Sequence, residues 1–202
     1  MIDTGLQRRV VLVSGATQGV GRTAARLFAT EGAWIAVNYR ADVHGAKAVV
    51  DTIRSAGGRA LLTPGDIRSP EGAWMVVRYV EHEWAQIDIL VHTTPLLGPD
   101  EAAPAAAPLL STVVPGMRER GWGRVVLVCP SGATAGGDDL GLPHGAAGVL
   151  MNVIRLTRDN PVESLDEVAA RAVLFLGSAW NMGITGATLD VARAVMGEQA
   201  HG

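Results

Sequence analysis

The sequence has 202 residues, of which 48% are hydrophobic, and its formal net charge is -3. This length and composition predict one domain with a sizeable buried core. The slightly acidic balance excludes the broad basic surface that nucleic acids and anionic membranes require, so the expected partner is a small-molecule substrate.

Short runs rich in Val, Ile and Leu alternate with longer amphipathic stretches. This pattern is typical of strand-helix units around a parallel sheet that is buried on both faces. The predicted strands are Val10–Val13, Trp34–Asn38, Ala60–Thr63, Ile87–Val91 and Arg124–Val128. The predicted helices between them are Val20–Thr30, Gly45–Ala56, Glu71–Trp84 and Leu109–Arg120.

Beyond the fifth strand the pattern changes. Gly145–Arg158 predicts a helix that passes through the turn DNPVES into a further helix, Leu165–Leu176, with no strand between the two. A last short strand, Ala187–Val191, precedes the C-terminal tail. The Pro- and Ala-rich segment Pro95–Pro108 predicts an irregular loop before the fourth helix.

The first predicted strand leads into a glycine-rich loop, SGATQGVGR, which spans Ser14 to Arg22. Glycines there let the backbone turn sharply and approach a diphosphate, whose charge meets the positive end of the next helix. A nucleotide-binding loop is therefore predicted; the alternative is a tight turn that only packs the helix. The expected cofactor-binding residues in this loop are Ser14, Gly15, Thr17, Gln18, Gly19, Gly21 and Arg22.

The second predicted strand ends in VNYR, where the ribose edge of a dinucleotide would lie. Arg40 can pair with a 2′-phosphate, whereas an acidic residue there would take a 2′-hydroxyl. Together with Arg22 it favours NADP(H) over NAD; the alternative is a solvated surface arginine. Asp66 and Ile67 follow the third strand and are expected at the adenine, with Asp66 facing its amino group.

Several of these segments resemble one family. The loop SGATQGVGR, GDI after the third strand, the strand IDILVH and the run MRERGWGRVVLV are similar to the short-chain dehydrogenases/reductases (SDRs). Further on, AAGVLMNVIRLTR resembles the active-site helix of that family, and DEVAARAVLFLGS with ITGATLDV resembles its last helix and strand.

The resemblance implies an α/β fold with a Rossmann-type doubly wound parallel sheet in a single domain. Residues 1–92 would form the dinucleotide-binding half, and residues 109–191 a remodelled catalytic half shortened after the fifth strand. The implied ancestral activity is hydride transfer between NADP(H) and a carbonyl or alcohol.

The catalytic residues of the family have no counterparts at the matching positions of this sequence. The family uses a Tyr to pass a proton, a Lys four residues later to lower the pKa of that Tyr, and a Ser to orient the substrate oxygen. The matching positions here are Leu142, Ala146 and Cys129. A phenol with its ordinary pKa near 10 is a poor acid or base at neutral pH without such a cation.

A different alignment does not restore the pair. The two tyrosines of the sequence, Tyr39 and Tyr79, are followed four residues later by Val43 and Glu83, and the one lysine is Lys47. The sequence therefore has no Tyr-x-x-x-Lys motif, and the chain is expected to be a truncated SDR that lacks the Ser-Tyr-Lys chemistry.

Three further departures are expected from the alignment. The Asn-Asn-Ala-Gly segment of the family reads HTTP here, from His92 to Pro95. The first half of the next helix, with the Asn that organises a catalytic water, is expected to be missing between Pro95 and Leu109. The sixth strand of the family is expected to be replaced by DNPVES.

Residues that could replace the missing acid and base are expected at the ends of the fourth and fifth strands, because these ends face one crevice in this topology. His92, Ser131 and His144 are the candidate catalytic residues, because a His near neutral pKa can exchange protons without hydride. The alternative for both histidines is a purely structural hydrogen bond. No metal site is expected, because Asp138 and Asp139, the possible ligands, lack the spacing of a metal site.

Three functions remain open. The first is a remodelled enzyme that acts on a small carbonyl or polyketide-like metabolite by proton transfer, through cyclisation, dehydration or isomerisation, with NADP(H) bound or with no cofactor used. The second is a non-catalytic partner of another SDR, as a homodimer or hetero-oligomer formed through the helices at Leu109–Met117 and Gly145–Arg158. The third is an NADP(H)-dependent reductase in which His144 replaces the tyrosine. A single cysteine suits a reducing compartment, so the cytoplasm is expected.

Overall fold

The computed structural model describes residues 3–94, 102–131, 146–157 and 163–192. The strands are β1 (Val10–Ser14), β2 (Trp34–Tyr39), β3 (Arg59–Pro64), β4 (Ile89–Thr93), β5 (Gly123–Pro130), β6 (Val149–Leu156) and β7 (Thr188–Val191). The helices are α1 (Gly19–Thr30), α2 (Val43–Ser55), α3 (Pro70–Glu83), α4 (Ala102–Glu119) and α5 (Glu163–Gly177). None of the helices within these ranges is both long and apolar enough to span a membrane.

The seven strands form one parallel sheet in the order β3-β2-β1-β4-β5-β6-β7. Side chains alternate along β1, so that Val11 and Val13 pack under α1, α2 and α5 while Val10 and Leu12 pack under α3 and α4. Helices on both faces explain why the strands are continuous apolar runs. This is the doubly wound α/β fold that the sequence predicts.

The order of the strands reverses between β1 and β4. The chain winds from β1 outward to β3, and then returns to β4 and winds the other way to β7. In such sheets the carboxyl ends of the two central strands diverge and leave a crevice for ligands. The glycine-rich loop follows β1 at this edge, so the fold places it at the crevice.

The sixth strand is present, contrary to the expectation that DNPVES replaces it. Val149–Leu156, assigned above to an active-site helix, is β6, and its residues pair with β5 from Gly123 to Pro130. A short buried apolar run has no periodicity that separates a strand from a helix, and the β-branched residues Val149, Val153 and Ile154 favour the strand. The helix predicted for Gly145–Arg158 is therefore wrong, and so is the absence of a strand before α5.

The fourth helix is also longer than predicted. It begins at Ala102, inside the segment Pro95–Pro108 that predicts a loop, so its first half is present. Pro104 falls in the first turn, where the missing N–H has no helical acceptor in any case, and the alanines around it favour helix. Pro108 lies inside the helix, and the hydroxyl of Thr112 donates to its carbonyl oxygen at 2.8 Å. All other predicted elements are confirmed to within two residues at each end.

Candidate functional site

The loop between β1 and α1 is held close to β4. Gly15 has a φ of +71°, and a Cβ placed on it would collide with Thr93 Oγ1 and with the carbonyl oxygen of Thr93 at 2.6 Å. A Cβ on Gly21 would collide with the carbonyl oxygen of Gly15. Thr93 Oγ1 donates to the carbonyl oxygens of Ser14 and Gly15 at 3.1 and 3.2 Å. Both glycines are therefore required by the contacts of the loop.

The N-terminus of α1 has no capping side chain. Gln18 is the N-cap residue, its side chain makes no capping hydrogen bond, and the first turn holds no acidic residue. The first N–H groups of a helix need acceptors and carry a partial positive charge, which suits a phosphate. The close-packed glycines and this uncapped helix end together fit the diphosphate of a dinucleotide.

Two cavities flank the loop. The Arg40 cavity has a volume of about 330 Å³ and extends toward β2 and β3. The Ser131 cavity has a volume of about 460 Å³ and extends toward β5, β6 and α5. Gly15, Thr93 and Thr94 line both. The two cavities therefore form neighbouring halves of one cleft across the switch point.

The mouth of the Arg40 cavity carries a cluster of two arginines and one aspartate. Asp66 accepts hydrogen bonds from Arg68 Nε and Nη2 at 2.9 and 2.6 Å and lies 3.8 Å from Arg40 Nη1. The Arg68 guanidinium, ahead of other causes, lowers the pKa of Asp66 to about 2. Both carboxylate oxygens thus bind Arg68, which competes with the predicted contact of Asp66 with adenine.

The remaining predicted cofactor residues divide between the cavities. Thr17 and Ile67 line the Arg40 cavity, whereas Gln18 and Gly19 line the Ser131 cavity. Arg22 is exposed on α1 and is not among the described residues that line either cavity. The 2′-phosphate hypothesis therefore depends on Arg40, with Arg68 beside it.

His92 lies at the end of β4 and is buried, with 5% of its surface exposed. Its Nδ1 is 2.6 Å from Ser14 Oγ in the neighbouring strand. Burial lowers the pKa of His92 to about 4 from its ordinary 6.5. The imidazole is therefore neutral near pH 7 and is poorly suited to exchange protons there.

The depressed pKa of His92 predicts a pH-dependent stability. The folded chain resists protonation of this group, so its contribution is complete above pH 6.5 and is lost as the pH falls toward 4. The loss should reach about 3 kcal/mol, since one pKa unit corresponds to about 1.4 kcal/mol. Urea unfolding near pH 7 and near pH 4.5 measures it. His92→Gln should show a smaller loss than the wild type; an equal loss in both would contradict the assignment.

Ser131 follows β5 and is exposed at the rim of the Ser131 cavity. Its backbone N–H donates to the carbonyl oxygen of Leu156 at 2.8 Å, which fixes the ends of β5 and β6 together. His92 lines the Arg40 cavity and Ser131 the other, so the structure does not bring these two candidates into one cavity. His144 lies outside the described residues.

Cys129, matched above to the family's serine, is a buried thiol on the α3 and α4 side of the sheet. Burial raises its pKa, which disfavours the nucleophilic thiolate. Among the described residues, no three His, Cys, Asp or Glu side chains are grouped as a metal site would require. Asp138 and Asp139 lie outside the described ranges.

Three residues that line the Ser131 cavity, Thr93, Thr94 and Asp166, are not among the predicted catalytic or cofactor-binding residues. Thr94 Oγ1 donates to the carbonyl oxygen of Val128 at 3.1 Å, so its hydroxyl ties β4 to β5. The sequence signal for the two threonines was the segment HTTP, which begins at the end of the buried strand β4. Asp166 lies near the start of α5. Because β6 was predicted as a helix, the start of α5 was not expected at this cavity.

The chain is similar to known dehydrogenases. A family profile described as short chain dehydrogenase matches residues 9–146. The chain is 33% identical over 146 residues to a short chain dehydrogenase of Pseudocercospora fijiensis, covering 64% of this chain and 47% of that protein. It is 35% identical over 86 residues to L-rhamnose 1-dehydrogenase (NAD(P)(+)) of Sphingomonas sp., covering 43% and 34%.

Among solved structures, a hydroxysteroid dehydrogenase from Escherichia coli has a TM-score of 0.75 at 23% identity, over 94% of this chain and 97% of that chain. This likeness concerns the fold. In sequence, the matched stretch spans less than half the length of the two dehydrogenases above. The family profile, by contrast, matches more than half of this chain. The chain therefore belongs to the short chain dehydrogenase family.

Proposed function

We propose that this chain binds NADP(H) and acts on a small carbonyl or polyketide-like metabolite without the Tyr-x-x-x-Lys pair of its family. The observation that carries the proposal is the uncapped start of α1, packed through Gly15 and Gly21 against β4 and flanked by a cavity on each side. A cavity on each side of the loop leaves room for one half of a dinucleotide on each side. Bound NADPH would supply hydride chemistry beside the Ser131 cavity.

The Arg40 cavity supports the choice of NADP(H). Arg40 and Arg68 carry two positive charges against the one carboxylate of Asp66, and both guanidiniums are about half exposed at the cavity mouth. Asp42 also lines this cavity, but its carboxylate accepts the N–H of Gly45 as the cap of α2. The arginines are therefore the groups available to a 2′-phosphate.

Replacing Arg40 by alanine tests this preference. We expect Arg40→Ala to weaken NADPH binding by about tenfold to a hundredfold, since a charge-assisted hydrogen bond contributes about 1.5 to 3 kcal/mol. Binding of NADH should change little, because NADH lacks the 2′-phosphate. The change in nicotinamide fluorescence on binding gives the dissociation constant of NADPH and, in a separate titration, that of NADH. Arg78→Ala, which removes an equally exposed arginine paired with Glu81 on α3, is the matched control.

We propose that the hydroxyl of Ser131, at the rim of the Ser131 cavity, holds the carbonyl oxygen of the substrate, and that His144 is the residue that exchanges the proton. Enolisation, dehydration and cyclisation each need such a pair and no hydride. His92 is left out of this chemistry because of its burial and low pKa. If His144 instead acts beside NADPH, the same residues describe a reductase.

Two measurements separate these reactions. A reductase oxidises NADPH in step with loss of a ketone, whereas proton-transfer chemistry converts substrate at constant NADPH absorbance. Ser131→Ala and His144→Ala should each remove most turnover, while Ser111→Ala and His82→Ala, at exposed positions on α4 and α3, should not. Full activity in both site variants would refute the proposed site.

A non-catalytic partner remains the second candidate. Of the segments first expected to form its interface, β6 lies inside the sheet between β5 and β7, and the apolar face of α4 packs on the sheet. Exposed apolar side chains on α5 and in the segment after it favour this candidate instead: Val168, Phe175, Trp180, Met182 and Ile184. We propose that a homodimer or a hetero-oligomer with another SDR uses these side chains; light scattering with and without an intact reductase tests it.

A further inference from the structure

Both carboxylates among the described lining residues of the Arg40 cavity already have partners within the chain. Asp66 Oδ1 accepts the backbone N–H and Nε–H of Arg68 at 3.1 and 2.9 Å, and its Oδ2 accepts Nη2 of Arg68 at 2.6 Å. Arg40 Nη1 lies 3.8 Å from the same Oδ2. Asp42 accepts the N–H of Gly45 as the cap of α2. Neither carboxylate therefore faces the cavity without a partner.

The guanidinium of Arg68, by contrast, keeps hydrogen-bond donors for a ligand. A guanidinium carries five N–H groups, and only Nε and Nη2 of Arg68 donate to Asp66. Among the described residues no other group accepts from this side chain, which is 52% exposed at the cavity mouth. Arg68 lowers the pKa of Asp66 to about 2, so the carboxylate stays ionised and bound to Arg68 near pH 7. This part of the cavity therefore offers donors rather than a free acceptor.

The substituent at position 6 of a purine responds to this difference. Adenine has an amino group there, which donates, whereas guanine and hypoxanthine have a carbonyl oxygen, which accepts. A free carboxylate binds the amino group and repels the carbonyl oxygen, because both oxygens carry lone pairs. A guanidinium donates to the carbonyl oxygen and to N7, which is the commonest contact of arginine with guanine. An aspartate held by an arginine therefore no longer selects adenine.

We propose that Arg68 makes the Arg40 cavity accept 6-oxopurine nucleotides about as readily as adenine nucleotides. This inference rests on the proposed binding of a nucleotide in this cavity, and it assigns Asp66 to hold Arg68 rather than the amino group of adenine. Specificity is a difference between two affinities. Arg68 acts on both of them, since it withdraws an acceptor from the amino group and offers donors to the carbonyl oxygen.

The test compares ADP with IDP, which has a carbonyl oxygen at position 6 in place of the amino group. Titration calorimetry with both is carried out on the wild type, on Arg68→Ala and on the double variant Arg68→Ala/Asp66→Ala. We expect the wild type to bind the two nucleotides within about threefold of each other. In Arg68→Ala the freed carboxylate should favour ADP by about tenfold or more, the effect of one hydrogen bond to a charged group. The double variant should lose this preference again.

Arg78→Ala is the matched control. Arg78 is also exposed and paired with a carboxylate, that of Glu81, but it lies on α3 and is not among the described lining residues of either cavity. Its ratio of ADP to IDP affinity should equal that of the wild type. An Arg68→Ala variant that keeps the wild-type ratio would overturn the inference. So would a wild type that binds ADP more than about tenfold more tightly than IDP, a result that requires no variant to fold.

The whole cofactor separates this inference from the proposed function. NADPH and its 6-oxo analogue, reduced nicotinamide hypoxanthine dinucleotide phosphate, are titrated against the wild type by nicotinamide fluorescence. Affinities within about threefold of each other support the inference, and an analogue that binds more than about tenfold more weakly contradicts it. A wild type that binds neither dinucleotide and neither ADP nor IDP overturns the proposed function, and with it this inference. Nucleotide binding with a strict preference for adenine overturns the inference alone.

Discussion

Gly15→Ala is expected to weaken NADPH binding about a hundredfold or more and to lower the free energy of unfolding by about 2 to 5 kcal/mol. Two causes add. A φ of +71° strains any residue with a Cβ, and the new methyl would collide with the side chain and carbonyl of Thr93. The loop can relieve the collision only by moving away from β4, which displaces the start of α1. Calorimetry with NADPH and urea unfolding measure the two losses.

Gly57→Ala separates the two causes. Gly57 has a φ of +83°, but a Cβ there would meet no heavy atom within 4 Å. Its replacement should therefore cost only backbone strain, about 1 to 2 kcal/mol, and should leave NADPH binding unchanged. If both alanine variants lost the same stability and the same affinity, close packing against β4 would not be the reason for glycine at position 15.

Phe28→Ala is expected to destabilise the fold by about 3 to 5 kcal/mol, a large part of the stability of a domain of this size. Phe28 lies on α1, is completely buried and belongs to the core on the α1, α2 and α5 side of the sheet. Gly177, at the end of α5, leaves room for its ring, since a Cβ there would lie 2.7 Å from Phe28 Cζ. Removing the ring leaves a cavity between α1, α5 and the sheet, and chemical denaturation gives the loss.

The second phenylalanine of the sequence is the control for this prediction. Phe175 lies on α5 and is 38% exposed. Phe175→Ala removes the same atoms from a surface that water already reaches, so the loss should stay below about 1 kcal/mol. Comparable losses in the two variants would mean that the α1 and α5 side of the core is not packed as described. If Phe175→Ala also alters the oligomeric state, the proposed interface gains support.

The sequence predicted the first half of the fold well because its signals there are local. The apolar runs of β1, β2 and β3 are short and are separated by helices with clear amphipathic periods. The glycine spacing in Ser14–Arg22 needs a turn at one place, between a strand and a helix, and the structure has the turn there. Hydrophobic patterning and glycine conformation were sufficient for this part.

The prediction for the second half of the fold was wrong where tertiary contacts decide between helix and strand. Val149–Leu156 is apolar except at Asn152 and Arg155 because sheet and helices cover it on both sides, and such a run carries no period of its own. Ala146–Gly148 before it adopts left-handed backbone at Ala147 and Gly148, which ends any helix there and starts the strand. The small residues before this apolar run also resemble the start of an active-site helix, and such a pattern suits either element.

The positions of the candidate site residues followed from the sequence only in part, and their contacts did not. Arg40 and five of the predicted loop residues line the cleft, namely Ser14, Gly15, Thr17, Gln18 and Gly19, whereas Gly21 and Arg22 are not among its described lining residues. The roles of His92 and Asp66 depend on partners in other strands and loops, Ser14 in one case and Arg68 in the other. Those pairings follow from the register of the sheet, which a single sequence does not specify.

The uncapped end of α1 has a consequence for the lifetime of the protein. The side chain of Gln18 does not accept a hydrogen bond from the first backbone N–H groups of α1. An anion that binds these groups therefore stabilises the folded chain by mass action. At a free concentration a hundred times the dissociation constant, the gain is about 2.7 kcal/mol. Resistance to proteolysis would then rise with the free concentration of any anion that binds there.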